Sequence, residues 1–187
     1  MQVLVTYASR HGSTAGIAER ISETLTERGL VVTLLPVGEA RGVDGYDAFV
    51  IGSAVHMGRW MAEARTFVEH HQYPLASHPT WLFSSGPIGD KPVDAQGRDV
   101  LEAAKPREFA DFNRLIGPRD HRVFFGSFDP EAKPVGLAER LAVPFMRMAA
   151  AKEGMLSGDF RDWPAIETWA EEIATALGAE ATLVTAG

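Results

Sequence analysis

Apolar positions along the chain recur with two different periods, and the switches between them divide it into elements. Val3 to Ala8 is a short β-branched and aromatic run that predicts a strand. Thr14 to Arg28 places Ile17, Ile21 and Leu25 on one helical face and closes with Gly29 at the C-terminal cap position. Leu30 to Leu35 and Ala48 to Gly52 read as the second and third strands, Met61 to His71 as a helix, and Thr80 to Ser85 as the fourth strand. From Gly86 to Pro118 the pattern loosens under Gly, Pro and Asp, until Pro106 opens a short helix through Phe109, Phe112 and Leu115. Arg122 to Ser127 predicts a fifth strand. Ala165 to Leu177 predicts a last helix, with Ile166, Trp169, Ile173 and Leu177 on one face and Asp162 or Asp159 as cap. No internal repeat or low-complexity tract interrupts this order.

Strands alternating with helices imply an α/β fold with a parallel sheet covered on both faces. Five strands joined by crossover helices correspond to a doubly wound sheet of order 2-1-3-4-5, whose ligands sit at the carboxyl ends of the strands near the topological switch. The loops after the first, third and fourth strands are therefore expected to line one site. A length of 187 residues with 45% hydrophobic content favours a single domain over 1–187.

Composition then removes whole classes of chemistry. A formal net charge of −7 argues against a nucleic-acid binder, which would carry a basic face strong enough to show in the total. The chain has no cysteine, so disulfides, thiolate metal sites and cysteine nucleophiles are excluded. The N-terminus runs into a strand without a basic leader or a long apolar stretch, which makes a cytoplasmic protein the expectation.

The candidate chemistry begins in the segment SRHGST, which spans Ser9, Arg10, His11, Gly12, Ser13 and Thr14 between the first strand and the first helix. Backbone N–H groups there, with the positive end of the helix, favour an anion. Ser9, Ser13 and Thr14 add hydroxyl donors, and Gly12 lets the backbone turn close to a ligand. A phosphate suits this donor set. The loop lacks the Gly-Lys-Ser/Thr of a Walker A motif and the GxGxxG of a dinucleotide fingerprint. Tyr7, Ala8 and Ser9 likewise stand where a phospho-acceptor receiver domain would need acidic residues. The alternative without a ligand is a plain N-terminal capping loop.

SRHGST resembles the phosphate loop of flavodoxins, Thr/Ser-x-Thr/Ser-Gly-x-Thr/Ser. Ser9, Gly12 and Thr14 match it, and His11 stands where a hydroxyl residue is usual. The resemblance implies a flavodoxin-like fold, FMN as cofactor and a grip on its terminal phosphate. By the same resemblance, the loop after the third strand flanks the isoalloxazine ring with Ser53, Ala54, Val55, His56, Met57, Gly58 and Trp60. An aromatic residue commonly stacks there, and here either Met57 packs its thioether on the ring or Trp60 swings in. A core anchor is the other reading of Trp60. The loop after the fourth strand offers Ser84, Ser85, Gly86, Pro87, Ile88 and Gly89 to the polar edge of the flavin.

Charge around that ring matters because a reduced flavin carries negative charge. Ser53 to Trp60 holds no carboxylate but does hold His56 and Arg59, and Lys91 and Arg98 follow the next loop. A cationic setting is expected to favour the reduced cofactor, since opposite charges attract by about 4 kcal/mol at 4 Å and an effective dielectric of 20.

A long segment, about 130–162, precedes the last helix. Leu137, Leu141, Phe145 and Met148 fall on one helical stripe, Arg140 and Arg147 flank it, and Pro144 should kink it. From Lys133 to Lys152 four basic residues face one glutamate in an otherwise acidic chain. Such a stripe suits a membrane interface, where quinones reside, or an amphiphilic carboxylate substrate; a helix packed on the domain is the plainer reading.

With SRHGST, GSAVHMGRW, this insert and RDWPAIETWAEEIA, the chain resembles the quinone-dependent protoporphyrinogen dehydrogenase branch of the flavodoxin-like proteins. That resemblance implies an FMN oxidoreductase of heme biosynthesis that oxidises protoporphyrinogen IX and passes the electrons to a quinone such as menaquinone. Arg140, Arg147 and Lys152 would meet propionates or lipid headgroups, Leu141, Phe145 and Met148 the apolar partner, and the insert a peripheral contact with the inner face of the membrane. No catalytic residue beyond the flavin is expected. A flavodoxin-type electron carrier, an NAD(P)H:quinone reductase and a module without flavin are the alternatives.

Overall fold

A computed structural model describes residues 1–128 and 158–179. In chain order its elements are β1 (Gln2–Ala8), α1 (Ser13–Glu27), β2 (Val31–Pro36), β3 (Ala48–His56), β4 (Arg59–Trp60), α2 (Ala62–His70) and α3 (Gln72–Ser77). There follow β5 (Thr80–Ser85), α4 (Val100–Ala103), α5 (Glu108–Leu115), β6 (Asp120–Phe124), β7 (Ser127–Phe128), β8 (Gly158–Asp159) and α6 (Trp163–Ala176).

The main sheet runs β2-β1-β3-β5-β6 with parallel pairing throughout, the expected doubly wound order, and β4 folds back antiparallel on β3. Successive residues of each strand serve opposite layers. Val3, Val5, Val50, Trp81 and Phe83 pack with Ile17, Ile21, Leu25, Ile166, Trp169 and Ile173 under α1 and α6. Leu4, Phe49, Ile51 and Leu82 pack with Phe67, Leu75, Phe109 and Phe112 under α2, α3 and α5. Because both faces are covered, the central strands read as continuous apolar runs in the sequence.

Most boundaries shift by a residue or two from the sequence expectation, and a few differ by more. The third strand continues past Gly52 to His56 and turns into β4: Ser53 and Ala54 still pair with Ser84 and Ser85 of β5, and Val55 and His56 then pair with Trp60 and Arg59 of the hairpin. The fifth strand starts at Asp120 and ends at Phe124. Its polar start is stabilised by the Asp120 carboxylate, which accepts from Trp169 Nε1 at 2.9 Å and Arg122 Nε at 2.8 Å. Ser127 belongs instead to the separate β7–β8 ladder, since Gly126 leaves the sheet to donate to Pro87 O at 2.9 Å and accept from Phe160 N at 3.1 Å. The short helices α3 and α4 are additional; α4 is capped by Asp99, whose side chain accepts from the Glu102 N–H. Of the two candidate caps for α6, Asp162 does the capping, and Asp159 pairs with Arg161.

The register aligns Ala8 with Ser53, Ser53 with Ser84, and Ser85 with Phe124, so the carboxyl ends of β1, β3, β5 and β6 finish level. Three loops leave from that edge.

Candidate functional site

The loop after β1 delivers Gly12 to the head of α1 in the left-handed region, φ 85°, which a residue with a Cβ adopts only at a cost. Gly12 has no side chain to cap the helix, and the first turn of α1 carries no acidic residue. A helix head without a capping acceptor leaves its first N–H groups for another one. Beside it, Ser9 Oγ is buried and has no hydrogen-bond partner among the described residues. An orphaned buried hydroxyl is costly unless something polar meets it. Arg10 and His11 lie exposed on the same loop.

The remaining hydroxyls connect this loop to its neighbours. Thr14 Oγ1, fully buried, lies 3.1 Å from Ser85 Oγ, and Ser85 Oγ donates to Ser13 Oγ at 3.4 Å. Ser13 Oγ also accepts from the Ser127 N–H at 3.0 Å. Each hydroxyl has one proton. With Ser85 donating to Ser13, Thr14 must donate to Ser85, and the Ser13 proton is not used by these contacts. Behind the loop, Arg161 Nη1 donates to Ser13 O at 3.4 Å; Arg161 also grips Asp159 through Nε at 2.7 Å and Nη2 at 2.6 Å. The Arg161 hydrogen bond holds the Asp159 carboxyl below the usual carboxylate range. A cleft of about 530 Å³ opens against the loop, between Ser9, Gly12, Pro36, Gly38 and Glu63.

The second loop is a two-residue hairpin. His56 pairs with Arg59 across Met57 and Gly58, whose φ angles of 53° and 73° are those of a type I′ turn. Gly58 suits that turn and Met57 does not. Met57 is the one non-glycine residue with positive φ among those described, and it is 85% exposed at the tip. A strained, exposed apolar residue at the rim of a site is a functional signal. Trp60 takes the opposite place: it is buried against Phe109 and Phe112, with ring centroids 5.9 and 5.2 Å away, and donates from Nε1 to Ser84 Oγ at 2.7 Å. Trp60 is a core anchor, which corrects its inclusion among the ring contacts and leaves Met57 at the tip. Ser53 Oγ is likewise engaged, accepting from the Met61 N–H at 3.0 Å and donating to Ala54 O. Val55 is half-buried on the core, and His56 is exposed.

In the third loop the Gly86 N–H donates to Phe124 O at 3.2 Å and Pro87 O accepts from Gly126, which pins the loop to the end of β6. Ile88 is 42% exposed, and Gly89 has φ 137°. Ser84 and Ser85 point into the hydroxyl contacts already described, so the segment free to meet a ligand is Gly86 to Gly89.

The charge expected from these loops is altered by carboxylates that the folded chain brings in. Arg59 Nε donates to Glu108 Oε1 at 2.8 Å, and Arg98 Nε to Asp94 Oδ2 at 2.7 Å. Of the residues His56, Arg59, Lys91 and Arg98 counted in the sequence, the two arginines are paired with carboxylates, so the cationic setting expected there is reduced. Burial alone would push the Glu108 carboxyl up. Hydrogen bonds from Arg59 and from the Trp60 N–H outweigh it, and Glu108 sits below the usual carboxylate range. Glu108, Ser127 and Arg161 escape a reading of the sequence because each lies far along the chain from the loop it supports. The only local signal is Glu108 itself, an acidic residue in the first turn of α5.

Arg140, Leu141, Phe145, Arg147, Met148 and Lys152 lie outside the described residues. Among the described residues no cluster of His, Asp or Glu is placed to hold a metal ion, and no helix is long and apolar enough to cross a membrane.

Residues 4–155 match the family described as Flavodoxin domain. The chain belongs to that family. No curated protein sequence matches it significantly. Among solved structures, rubredoxin oxygen:oxidoreductase from Desulfovibrio gigas superposes with a TM-score of 0.59 at 16% identity, covering 95% of this chain and 36% of that one. The Flv1 flavodiiron core from Synechocystis sp. PCC6803 gives 0.58 at 14% identity, with 95% and 36% covered. The chain thus spans about a third of the length of these two proteins. A Streptococcus pneumonia TIGR4 flavodoxin gives 0.51 at 18% identity over 94% of this chain and 99% of its own. At these identities the likeness is one of fold.

Proposed function

We propose that the chain binds FMN and acts as a quinone-linked oxidoreductase of the protoporphyrinogen dehydrogenase type, within heme biosynthesis. The observation that carries the cofactor is the buried Ser9 Oγ, without a partner beside a helix head that no side chain caps. Ser9, the Ser13 proton and the first amides of α1 would hold the phosphate, and the Met57 hairpin and Gly86–Gly89 would flank the ring. When bound, FMN supplies reversible acceptance of a hydride equivalent. The chain's own part is to bind and orient it: the hydroxyls fix the phosphate, and the Met57 thioether offers the ring an exposed apolar surface.

The substrate part of the reading is supported by the sequence resemblance and by the basic, amphipathic pattern of 133–152. It is tested by following the absorbance of FMN-loaded protein anaerobically while protoporphyrinogen IX, then a menaquinone analogue, is added. Bleaching by the first and recovery with the second is the expected result; flavin bands unmoved by protoporphyrinogen would remove the substrate and leave the cofactor site standing. Bleaching by NADH alone would make the chain an NAD(P)H:quinone reductase.

A second reading, a one-electron carrier between proteins, is favoured by the pairing of Arg59 and Arg98 with carboxylates. It expects one-electron exchange with a protein donor and no reaction with either small molecule.

A further inference from the structure

Glu108, the first residue of α5, is 5% exposed, and a buried carboxylate needs strong partners to remain charged. Besides its own backbone N–H, the hydrogen-bond donors to Glu108 come from the Met57 hairpin, and a second cation, Arg65, approaches from α2. Oε1 accepts from Arg59 Nε at 2.8 Å, Oε2 accepts from the Trp60 N–H at 3.2 Å, and Arg65 Nε stands 3.8 Å from Oε1, beyond hydrogen-bond reach. One residue earlier, the Arg107 N–H donates to Gly58 O at 3.2 Å. The hairpin pairs with the sheet only through β3, and its other side is therefore held by two consecutive residues of a distant helix start.

This arrangement has two separable effects. It fixes the backbone that carries Met57, and it neutralises Arg59, a cation whose side chain is 55% exposed at the base of the hairpin. A surface ion pair would contribute little, but here one partner is buried and hydrogen-bonded through both oxygens.

We propose that Glu108 is a positioning residue for the flavin. It anchors the ring-side hairpin and sets the flavin's reduction potential by cancelling the charge of Arg59. The proposal rests on FMN binding as read above. Reduced flavin carries negative charge, so an unpaired Arg59 would favour the reduced form and a lone Glu108 would disfavour it.

The test compares the wild type, Glu108→Gln, Arg59→Gln and the double variant by FMN titration, flavin redox titration and hydrogen exchange of the cofactor-free protein. Glu108→Gln is expected to weaken binding of oxidised FMN about tenfold, raise the midpoint potential and speed amide exchange over 56–60 with the sheet unchanged. Arg59→Gln leaves the Trp60 contact in place and is expected to lower the potential. The double variant is expected to bind weakly, as Glu108→Gln does, with a potential back near that of the wild type. Opposite potential shifts in the two single variants are the signature. If Glu108→Gln does not fold, the Arg59→Gln potential still decides.

Potentials within error of the wild type in both single variants, with only thermal stability lowered, would show an ordinary structural ion pair and overturn the proposal. Wild-type protein that rejects FMN would overturn the cofactor reading instead. Hairpin exchange would then report on the anchor alone.

Discussion

The Trp60 indole N–H donates to Ser84 Oγ at 2.7 Å, with both side chains buried, and this bond joins the hairpin after β3 to the end of β5. Trp60→Phe keeps most of the packing against Phe109 and Phe112 and strands the Ser84 hydroxyl. Unfolding free energy is expected to fall by about 1–2 kcal/mol in urea titration, with FMN affinity changed less than twofold. A large affinity loss at unchanged stability would put the indole on the cofactor.

Ser9→Ala separates a ligand contact from a structural one. The hydroxyl has no partner among the described residues, so removing it costs the cofactor-free fold nothing and relieves an unmet polar group. FMN dissociation is expected to rise about tenfold, or roughly 1.4 kcal/mol, while the melting temperature of the cofactor-free protein holds or increases. A melting temperature that drops instead would mean Ser9 serves the fold.

Met57→Asn places a residue tolerant of positive φ in the type I′ turn, and Asn-Gly is a favoured pair there. The cofactor-free protein is expected to gain about 1 kcal/mol by thermal unfolding. FMN affinity is expected to fall, because an amide replaces the exposed thioether. Gain in both quantities would remove Met57 from the ring.

Acid is expected to destabilise the protein through carboxylates held below their usual range, Asp120, Asp159 and Glu108 among them. Burial pushes Asp120 up, but hydrogen bonds from Arg122 and Trp169 bring it below its usual value; Asp159 is lowered by Arg161, and Glu108 by Arg59 and Trp60. Groups whose folded pKa lies below the unfolded one contribute stability that is fully present above the unfolded carboxylate pKa. That contribution is lost as pH falls through the lower folded values. Stability measured by urea midpoint is expected to be flat near neutrality and to decline below the ordinary carboxylate range. Asp120→Asn should flatten part of that decline, and an unchanged slope would exclude Asp120.

Reversing Arg140 and Arg147 to Glu is expected to slow quinone reduction and reduce sedimentation with anionic vesicles, with FMN binding intact. Unchanged quinone kinetics and unchanged sedimentation would remove the role proposed for the insert.

Local pattern carried the alternation of strands and helices that a doubly wound sheet requires, and the glycine-and-hydroxyl loop between β1 and α1. Those features depend on short-range causes: apolar periodicity, Gly12 at the head of α1, and hydroxyls within six consecutive residues. Trp60 shows where that reasoning stops, because a tryptophan three residues from Met57 has the same local signature whether it faces a ligand or the core. Only the arrival of Phe109, Phe112 and Ser84 from elsewhere decided it. Charge behaved in the same way: Arg59 looked like an unopposed cation until folding set Glu108 beside it. Periodicity reports which face a residue turns to its own neighbours in sequence. Contacts between residues 49 positions apart depend on how helices pack over the sheet, and there the partner of a charge or a ring is chosen.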